Sequence, residues 1–325
     1  MSTQNSIKAI GLLSGGLDST LAIKLMIDQG VEIHVLNLIT PFCTCTRKGC
    51  KHEASRVAEF FNVPVKIISA GKTYIEMIKN PKHGYGSNMN PCIDCRIFLF
   101  QEAKKYMEEI GARFIFTGEV LGQRPMSQHK KALNIIEKES ETEGLVVRPL
   151  SARLLPPTIP EEKKWIDREK LLSIRGRRRI PQMELAKEFG INDYPCPAGG
   201  CRLTDPGFAK RLREAFEHDE DAINDIRLLR YGRHFRLESG AKVIVGRNEE
   251  ENKFLLRFFD KDDVMIEVIG VGSPIVLLKK NRHKEDIKKA ATLCIRYSDL
   301  YNIVDNNLKI KYGDILEEIK KLSSL

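Results

Sequence analysis

The chain has 325 residues, 42% of them hydrophobic, which is more than one small domain needs and enough for two or three cores. No apolar run approaches the roughly 18 residues of a membrane span. The opening MSTQNSIKAIGLL lacks a signal-peptide layout, so a soluble cytoplasmic protein with no membrane partner is expected. Lys and Arg number 53 against 44 Asp and Glu, a net charge of +9, which suits a polyanionic partner and a solvated basic surface equally well.

Taken in chain order, Ile7 to Leu13 reads as a buried strand. The glycine-rich loop LLSGGLDST follows, then a helix to about Gln29 with Leu21, Ala22, Leu25 and Met26 at helical spacing. Val31 to Leu38 is a second strand, Glu53 to Phe61 a helix, and Val63 to Ile68 a third strand. Cys92 to Ile110 is a strong amphipathic helix, Phe114 to Thr117 a strand ending in TGEVLGQRP, and Leu145 to Leu150 a further short strand. Strands alternating with helices predict an α/β fold: a parallel sheet with helices on both faces, its ligands bound at the carboxyl ends of the strands. The loops at Ser14 and Gly118 should therefore open on one rim.

After Pro149 the texture changes. LLPPTIPEE is a proline-rich connector, Lys163 to Phe189 reads as helical and basic, and YPCPAGGCRLTDPG as loop. From Tyr231 the run HFRLESGAKVIVGRNEEENKFLLRFF reads as strands with turn glycines, and Lys284 to Asp299 as a helix. The expected division is residues 1–160 as a nucleotide-binding domain, 161–225 as a basic connector with a cysteine loop, and 226–325 as a smaller α+β domain.

Ser14, Gly15, Gly16, Asp18 and Ser19 carry the first chemistry. Glycines let backbone N–H groups approach phosphate oxygens, the helix N-terminus adds its positive dipole end, and the serines can donate hydroxyls. A Walker loop would supply Gly-Lys-Ser/Thr, and that lysine is missing. Asp18 stands there instead; it repels naked phosphate but suits a Mg²⁺ bridge. An ordinary strand-to-helix turn is the alternative. The arrangement resembles the SGGxDS signature of the PP-loop ATP pyrophosphatase family. That resemblance implies cleavage of ATP between its α and β phosphates, an adenylated substrate, and pyrophosphate resting in the loop. It also makes the loop Gly118 to Arg124 the second nucleotide-contacting segment. There Glu119 stands where a histidine is common in the thiouridylase branch, Gly118 could admit adenine or ribose, and Arg124 could face a phosphate or the RNA backbone; a structural turn is the alternative for either.

Seven of the eight cysteines fall in three groups. In a reducing compartment this favours metal or redox chemistry over structural disulfides. Cys92 and Cys95 in PCIDC open a helix, where two sulfurs face one point and the helix N-terminus favours thiolate. Cys196 and Cys201 lie in PCPAGGC. A pair plus one remote cysteine could hold a [4Fe–4S] cluster with an open iron; four would close the site as cluster or zinc. The layout is similar to that of PP-loop enzymes that thiolate tRNA, the thiouridylase-like and four-thiouridine synthase-like branch, over roughly residues 7–215. The resemblance implies Cys92, Cys95 and Cys196 as cluster ligands and Cys201 as fourth ligand or sulfur carrier; paired-cysteine persulfide chemistry is the runner-up. Cys43, Cys45, Cys50 and His52 form a second group that zinc would accept, or a set of unbound thiols. Cys294 reads as a buried helix cysteine.

Arg175, Arg177, Arg178 and Arg179 suit phosphate contacts of RNA, a solvated face being the alternative. GAKVIVGRNEEENKFLL, followed by GSPIVLL and a helix ending AATLCIRYSD, resembles the NFACT-R module, which is linked to RNA binding. Arg247, Asn248 and Asn252 are the RNA candidates the resemblance offers. The combined expectation is an ATP- and Mg²⁺-dependent tRNA thiolation enzyme with Asp18, Cys92, Cys196 and Cys201 in catalytic roles. Its expected partners are tRNA and a sulfur donor (sulfide, a cysteine desulfurase or a sulfur carrier); homodimer formation stays open. Two alternatives are a PP-loop enzyme activating a small molecule and a non-enzymatic RNA-binding protein with structural zinc.

Overall fold

The computed structural model describes residues 7–43, 49–194, 200–299, 308–312 and 315–319. The chain divides into two compact units, 1–209 and 210–325.

In the first unit the sheet comprises β1 (Lys8–Leu12), β2 (Glu32–Ile39), β3 (Val65–Ser69), β4 (Phe114–Thr117) and β5 (Val146–Val147). Its order is β3-β2-β1-β4-β5 and every pair is parallel. Helices α1 (Leu17–Ile27), α2 (Gly49–Phe60), α3 (Lys72–Lys79), α4 (Cys92–Ile110) and α5 (Lys130–Glu139) intervene; α6 (Ile159–Glu162) and α7 (Ile180–Glu188) follow, and α8 (Pro206–Glu217) begins at the end of this unit, most of it lying past residue 209. Both sheet faces are covered, so the strands are apolar on both sides. On one face Ala9, Phe114 and Phe116 pack with Leu21, Met26 and Val57 of α1 and α2. On the other, Ile10, Leu12 and Ile115 pack with Phe100, Ala103 and Met107 of α4. The expected α/β class is met. Chain order reverses direction at β1, with β2 on one side and β4 on the other, so the loops leaving β1 and β4 flank a topological switch point.

The basic stretch Lys163 to Phe189 is not one helix. Residues Arg168–Lys170 make a single 3₁₀ turn and α7 begins only at Ile180. Between them the chain is extended, because Leu172 and Ile174 donate backbone hydrogen bonds to Pro149 and Leu150, and Leu121 bridges Arg175 in parallel. Tertiary pairing outweighs the local helical pattern here.

The second unit contains α9 (Ile223–Leu228), β6 (Arg233–Arg236), β7 (Lys242–Val245), α10 (Glu249–Arg257), β8 (Val264–Val268), β9 (Val276–Lys279), α11 (Lys284–Arg296), β10 (Leu308–Tyr312) and β11 (Ile315–Ile319). The sheet is antiparallel in the order β11-β10-β8-β9-β7-β6. Alternation sorts its faces: Val243, Val245, Val264 and Ile266 meet α11, while Ile244, Met265 and Leu277 meet Leu255 of α10. NEEENKFLLR, read as part of a strand region, is helix α10, started by Asn248, whose side chain accepts from Glu251 N at 2.9 Å. Cys294 is fully buried on α11, as expected.

Candidate nucleotide and thiol site

The loop after β1 is fixed from below. Leu13 N donates to Leu36 O at 2.9 Å, and buried Asn37 donates through Nδ2 to Leu13 O at 2.7 Å. Gly15 has φ +76°, and a Cβ there would lie 2.7 Å from Glu53 Cβ, so the first turn of α2 sits directly on the loop. Gly16 caps α1 without a side-chain bond and accepts from Ser19 Oγ (2.8 Å) and Thr20 Oγ1 (3.1 Å). Ser14 and Ser19 hydroxyls are 3.2 Å apart. The result is a helix N-terminus with two hydroxyls and a tight glycine turn, an arrangement suited to phosphate oxygens.

Gly118 closes the rim from the other side. A Cβ there would lie 2.4 Å from Asp18 C and Ser19 N. Its missing side chain therefore lets the β4 loop press on the backbone of α1; that space is filled by the chain itself. Glu119, the next residue, turns inward. It is 2% exposed, accepts from Arg148 Nε at 3.1 Å, and lies 3.2 Å from Arg96 Nε; Arg148 also pairs with Glu137. Burial opposes the Arg148 charge, but Glu119 and Glu137 offset it and hold the guanidinium above its ordinary range.

Asp18 is the polar centre of the loop. Its Oδ2 accepts from Gln123 Nε2 at 3.0 Å and from Arg179 Nη2 at 3.2 Å. Its Oδ1 is buried with no hydrogen-bond partner, and so is Gln123 Oε1. Buried acceptor oxygens without donors fit a hard cation, so the residues present suit Mg²⁺ on Asp18. Arg179, expected to face RNA, thus lies at the loop, while Arg175, Arg177 and Arg178 are exposed and have no ion-pair partner among the described residues. Composition alone had no means of dividing the run.

The thiols assemble beside this rim. Cys92 and Cys95 open α4, and Asp94 between them is buried and accepts from Lys82 N (3.0 Å), His83 N (3.1 Å) and His83 Nδ1 (3.2 Å). Asn88 Nδ2 donates to Thr204 O at 2.8 Å and Met89 N to Leu203 O at 3.0 Å, which zips the approach to Cys92 onto the segment after Cys201. Cys95 Sγ is 3.1 Å from Tyr74 Oη. Burial pushes Cys95 up, and it pushes Cys201 up to about 12, with Cys95 and Cys92 acting in the same direction. The expected thiolate-favouring effect of the helix N-terminus is outweighed at Cys95 by desolvation.

Cys196 and Cys45 lie outside the described residues, as does the side chain of Cys50. Cys43 is disulfide-bonded, and its backbone bridges Cys201 in antiparallel fashion. His52 is half exposed, 3.9 Å from Glu53. Among the described residues no three His, Cys, Asp or Glu side chains are placed to hold one metal ion, so the zinc reading of Cys43, Cys45, Cys50 and His52 gains no support. Cys92, Cys95 and Cys201 are half-buried, and Cys92 and Cys95 act electrostatically on Cys201.

Arg124 joins the two halves. Loss of hydration lowers its guanidinium below the ordinary range; Arg96 and Arg179 act the same way, and Cys92 and Asp18 oppose them. Arg124 also acts on Cys201. One side chain is therefore within electrostatic reach of the glycine loop and of the thiols. The sequence offered no signal for Arg96, and only adjacency to Arg124 for Gln123.

Residues 4–153 match the model of the thiamine biosynthesis protein ThiI family. Residues 232–323 match the NFACT protein RNA binding domain. A tRNA-specific 2-thiouridylase of Leptospira biflexa is 31% identical over 116 residues, 30% of this chain and 30% of that protein. A probable tRNA sulfurtransferase of Thermococcus kodakarensis is 28% identical over 152 residues, 44% of this chain and 36% of that one. The chain thus spans about a third of these two relatives. A solved 4-thiouridine synthetase–RNA complex with bound ATP is 22% identical, covering 68% of this chain and 52% of that one, with a TM-score of 0.41. In the NFACT-type segment the three RNA candidates are engaged in architecture. Arg247 pairs with Glu251 at 2.7 Å, Asn248 caps α10, and Asn252 Oδ1 accepts from Ile275 N at 3.0 Å. Among the described residues no helix is long and apolar enough to cross a membrane.

Proposed function

We propose that the chain is an ATP-dependent tRNA sulfurtransferase. The observation that supports this is the β4 loop, which meets both elements: its Glu119 lies 3.2 Å from Arg96 on the helix that Cys92 and Cys95 open, and its Gln123 donates to Asp18 of the glycine loop at 3.0 Å. The glycine loop with Ser14, Gly15, Gly16 and Ser19 receives ATP, and Asp18 holds the Mg²⁺ bridge. A uridine carbonyl oxygen attacks the α-phosphorus, the α–β bridging P–O bond breaks, and pyrophosphate leaves. The oxygen, now bound to AMP, is a good leaving group; a sulfur nucleophile forms the new C–S bond, and AMP departs with the oxygen. A cluster on Cys92, Cys95 and Cys196 or Cys201 would supply an iron that binds sulfide; a persulfide on Cys201 would instead attack through its outer sulfur, its S–S bond then being cleaved by a second cysteine thiolate to leave a disulfide that an external thiol reduces. Exposed Arg175, Arg177 and Arg178, and the NFACT-type domain, contact the RNA backbone.

The test is pyrophosphate release with purified tRNA. Wild type should release it when tRNA is present and not with small metabolites alone. Asp18→Ala should lower the rate at least 100-fold, because the metal bridge stabilises the departing charge. Release at the wild-type rate by the variant would refute the assignment of the loop.

A further inference from the structure

The four arginines of IRGRRRI do not share one fate. Arg175, Arg177 and Arg178 are exposed. Arg179, at the start of α7, reaches into the first unit and donates to Asp18. The parallel bridge between Leu121 and Arg175, with Gly176 N donating to Leu121 O at 2.8 Å, sets its course: it lays the arginine run along the β4 loop. The same loop delivers Gln123 to Asp18 and carries Arg124. Arg124 itself is exposed. Arg96 is held by Glu119; among the described residues Arg179 pairs with Asp18 alone, and that carboxylate oxygen already accepts from Gln123. A guanidinium with one shared partner beside a helix N-terminus is placed to turn to an anion. The helix N-terminus at Gly16 and the hydroxyls of Ser14 and Ser19 lie beside the same carboxylate.

We propose that Arg179 supplies the cationic side of the pyrophosphate position at the mouth of the glycine loop, and that it exchanges Asp18 for phosphate oxygens when a Mg²⁺-bound diphosphate enters. The inference rests on the ATP reading of the loop and assigns a new residue to it. Asp18 has two roles in this arrangement. Its unpartnered Oδ1 marks where a cation is accepted, and its Oδ2 keeps Arg179 in place beforehand. With the cation bound, Asp18 is neutralised and the guanidinium turns to the anion, to which it can donate two parallel hydrogen bonds.

Titration calorimetry with inorganic pyrophosphate, with and without Mg²⁺, tests this directly and needs neither tRNA nor a sulfur source. Arg179→Met should weaken Mg²⁺-pyrophosphate binding about tenfold or more. Arg179→Lys should recover part of the loss. Lys187→Met, which removes an exposed charge near the other end of α7, should change it by no more than about threefold, the scale of a screened surface charge. Asp18→Asn supplies the sign test: it should weaken binding with Mg²⁺ and tighten binding without it, because the carboxylate that repels the anion and occupies Arg179 is gone. In the Arg179→Met background that metal-free gain should shrink. Equal binding by wild type and Arg179→Met, or weakening of both forms by Asp18→Asn, would overturn the proposal while leaving the loop a pyrophosphate site. No binding of pyrophosphate or ATP by wild type would instead overturn the ATP reading, and this inference with it.

Discussion

Glu119 lies in the loop that the resemblance offered as a nucleotide-contacting segment, and in the structure it is a buried counter-ion. Its carboxylate is 2% exposed and Arg148 3%; Arg96 and Glu137 complete the network. Glu119→Gln changes shape very little and removes the charge. Removing one partner of a buried pair costs about 3–5 kcal/mol, because the other ion stays desolvated. Glu137 still partners Arg148, so the lower end, about 3 kcal/mol, is expected. For a unit of about 200 residues each kcal/mol moves the midpoint by about 2–4 °C, so Tm should fall by about 6–12 °C. The chain has one tryptophan, and Trp165 packs against the core of the first unit, so its fluorescence reports that unit's unfolding. A double-mutant cycle with Arg148→Met should show a coupling of at least about 1.5 kcal/mol. A loss below about 1 kcal/mol for Glu119→Gln would mean that the pair is hydrated and that Glu119 is free to face a ligand, which would refute the inward reading.

Two further outcomes can be checked with the same material. Gly118→Ala places a methyl 2.4 Å from the backbone of Asp18 and Ser19, which cannot yield as a side chain would; a loss of about 1–3 kcal/mol in the fluorescence melt and weaker ATP binding are expected, and an unchanged melt would show that the loops are not in contact. His234 donates through Nε2 to Tyr231 O (2.8 Å), and burial, then Lys242, push its pKa down to about 3. Its depressed folded value means that its contribution is complete above the unfolded value of about 6.5 and is lost progressively as pH falls toward 3. The difference in urea midpoint between wild type and His234→Gln should therefore vary across that window, and a flat difference would show that the imidazole is hydrated.

The local grammar of the first unit was legible because it is short-range. An apolar strand, a glycine turn and a helix at residues 7–29 depend on neighbours, and β4 and α4 begin and end as the pattern predicts. Other elements had signals that a competing pattern hid. Asn248 followed by three glutamates is a helix start, yet the alternation before it extended the strand reading through α10. α3 and α5 carry amphipathic patterns that were passed over between stronger motifs.

What was not legible is direction. Glu119 and Arg124 are five positions apart in one loop, and one pairs inside the fold while the other is exposed. Arg178 and Arg179 are adjacent, and only the second reaches Asp18. Neither distinction is encoded in residue type or spacing; both follow from long-range pairing, the Leu121–Arg175 bridge above all. The same holds for the cysteines. A C-x-x-C spacing says that two sulfurs can face one point, but the contacts of Asn88 and Met89 with Thr204 and Leu203 are what bring Cys201 to that point. Residue type marks the capacity for chemistry here, and the order of strands around β1 decides which of those capacities are used together.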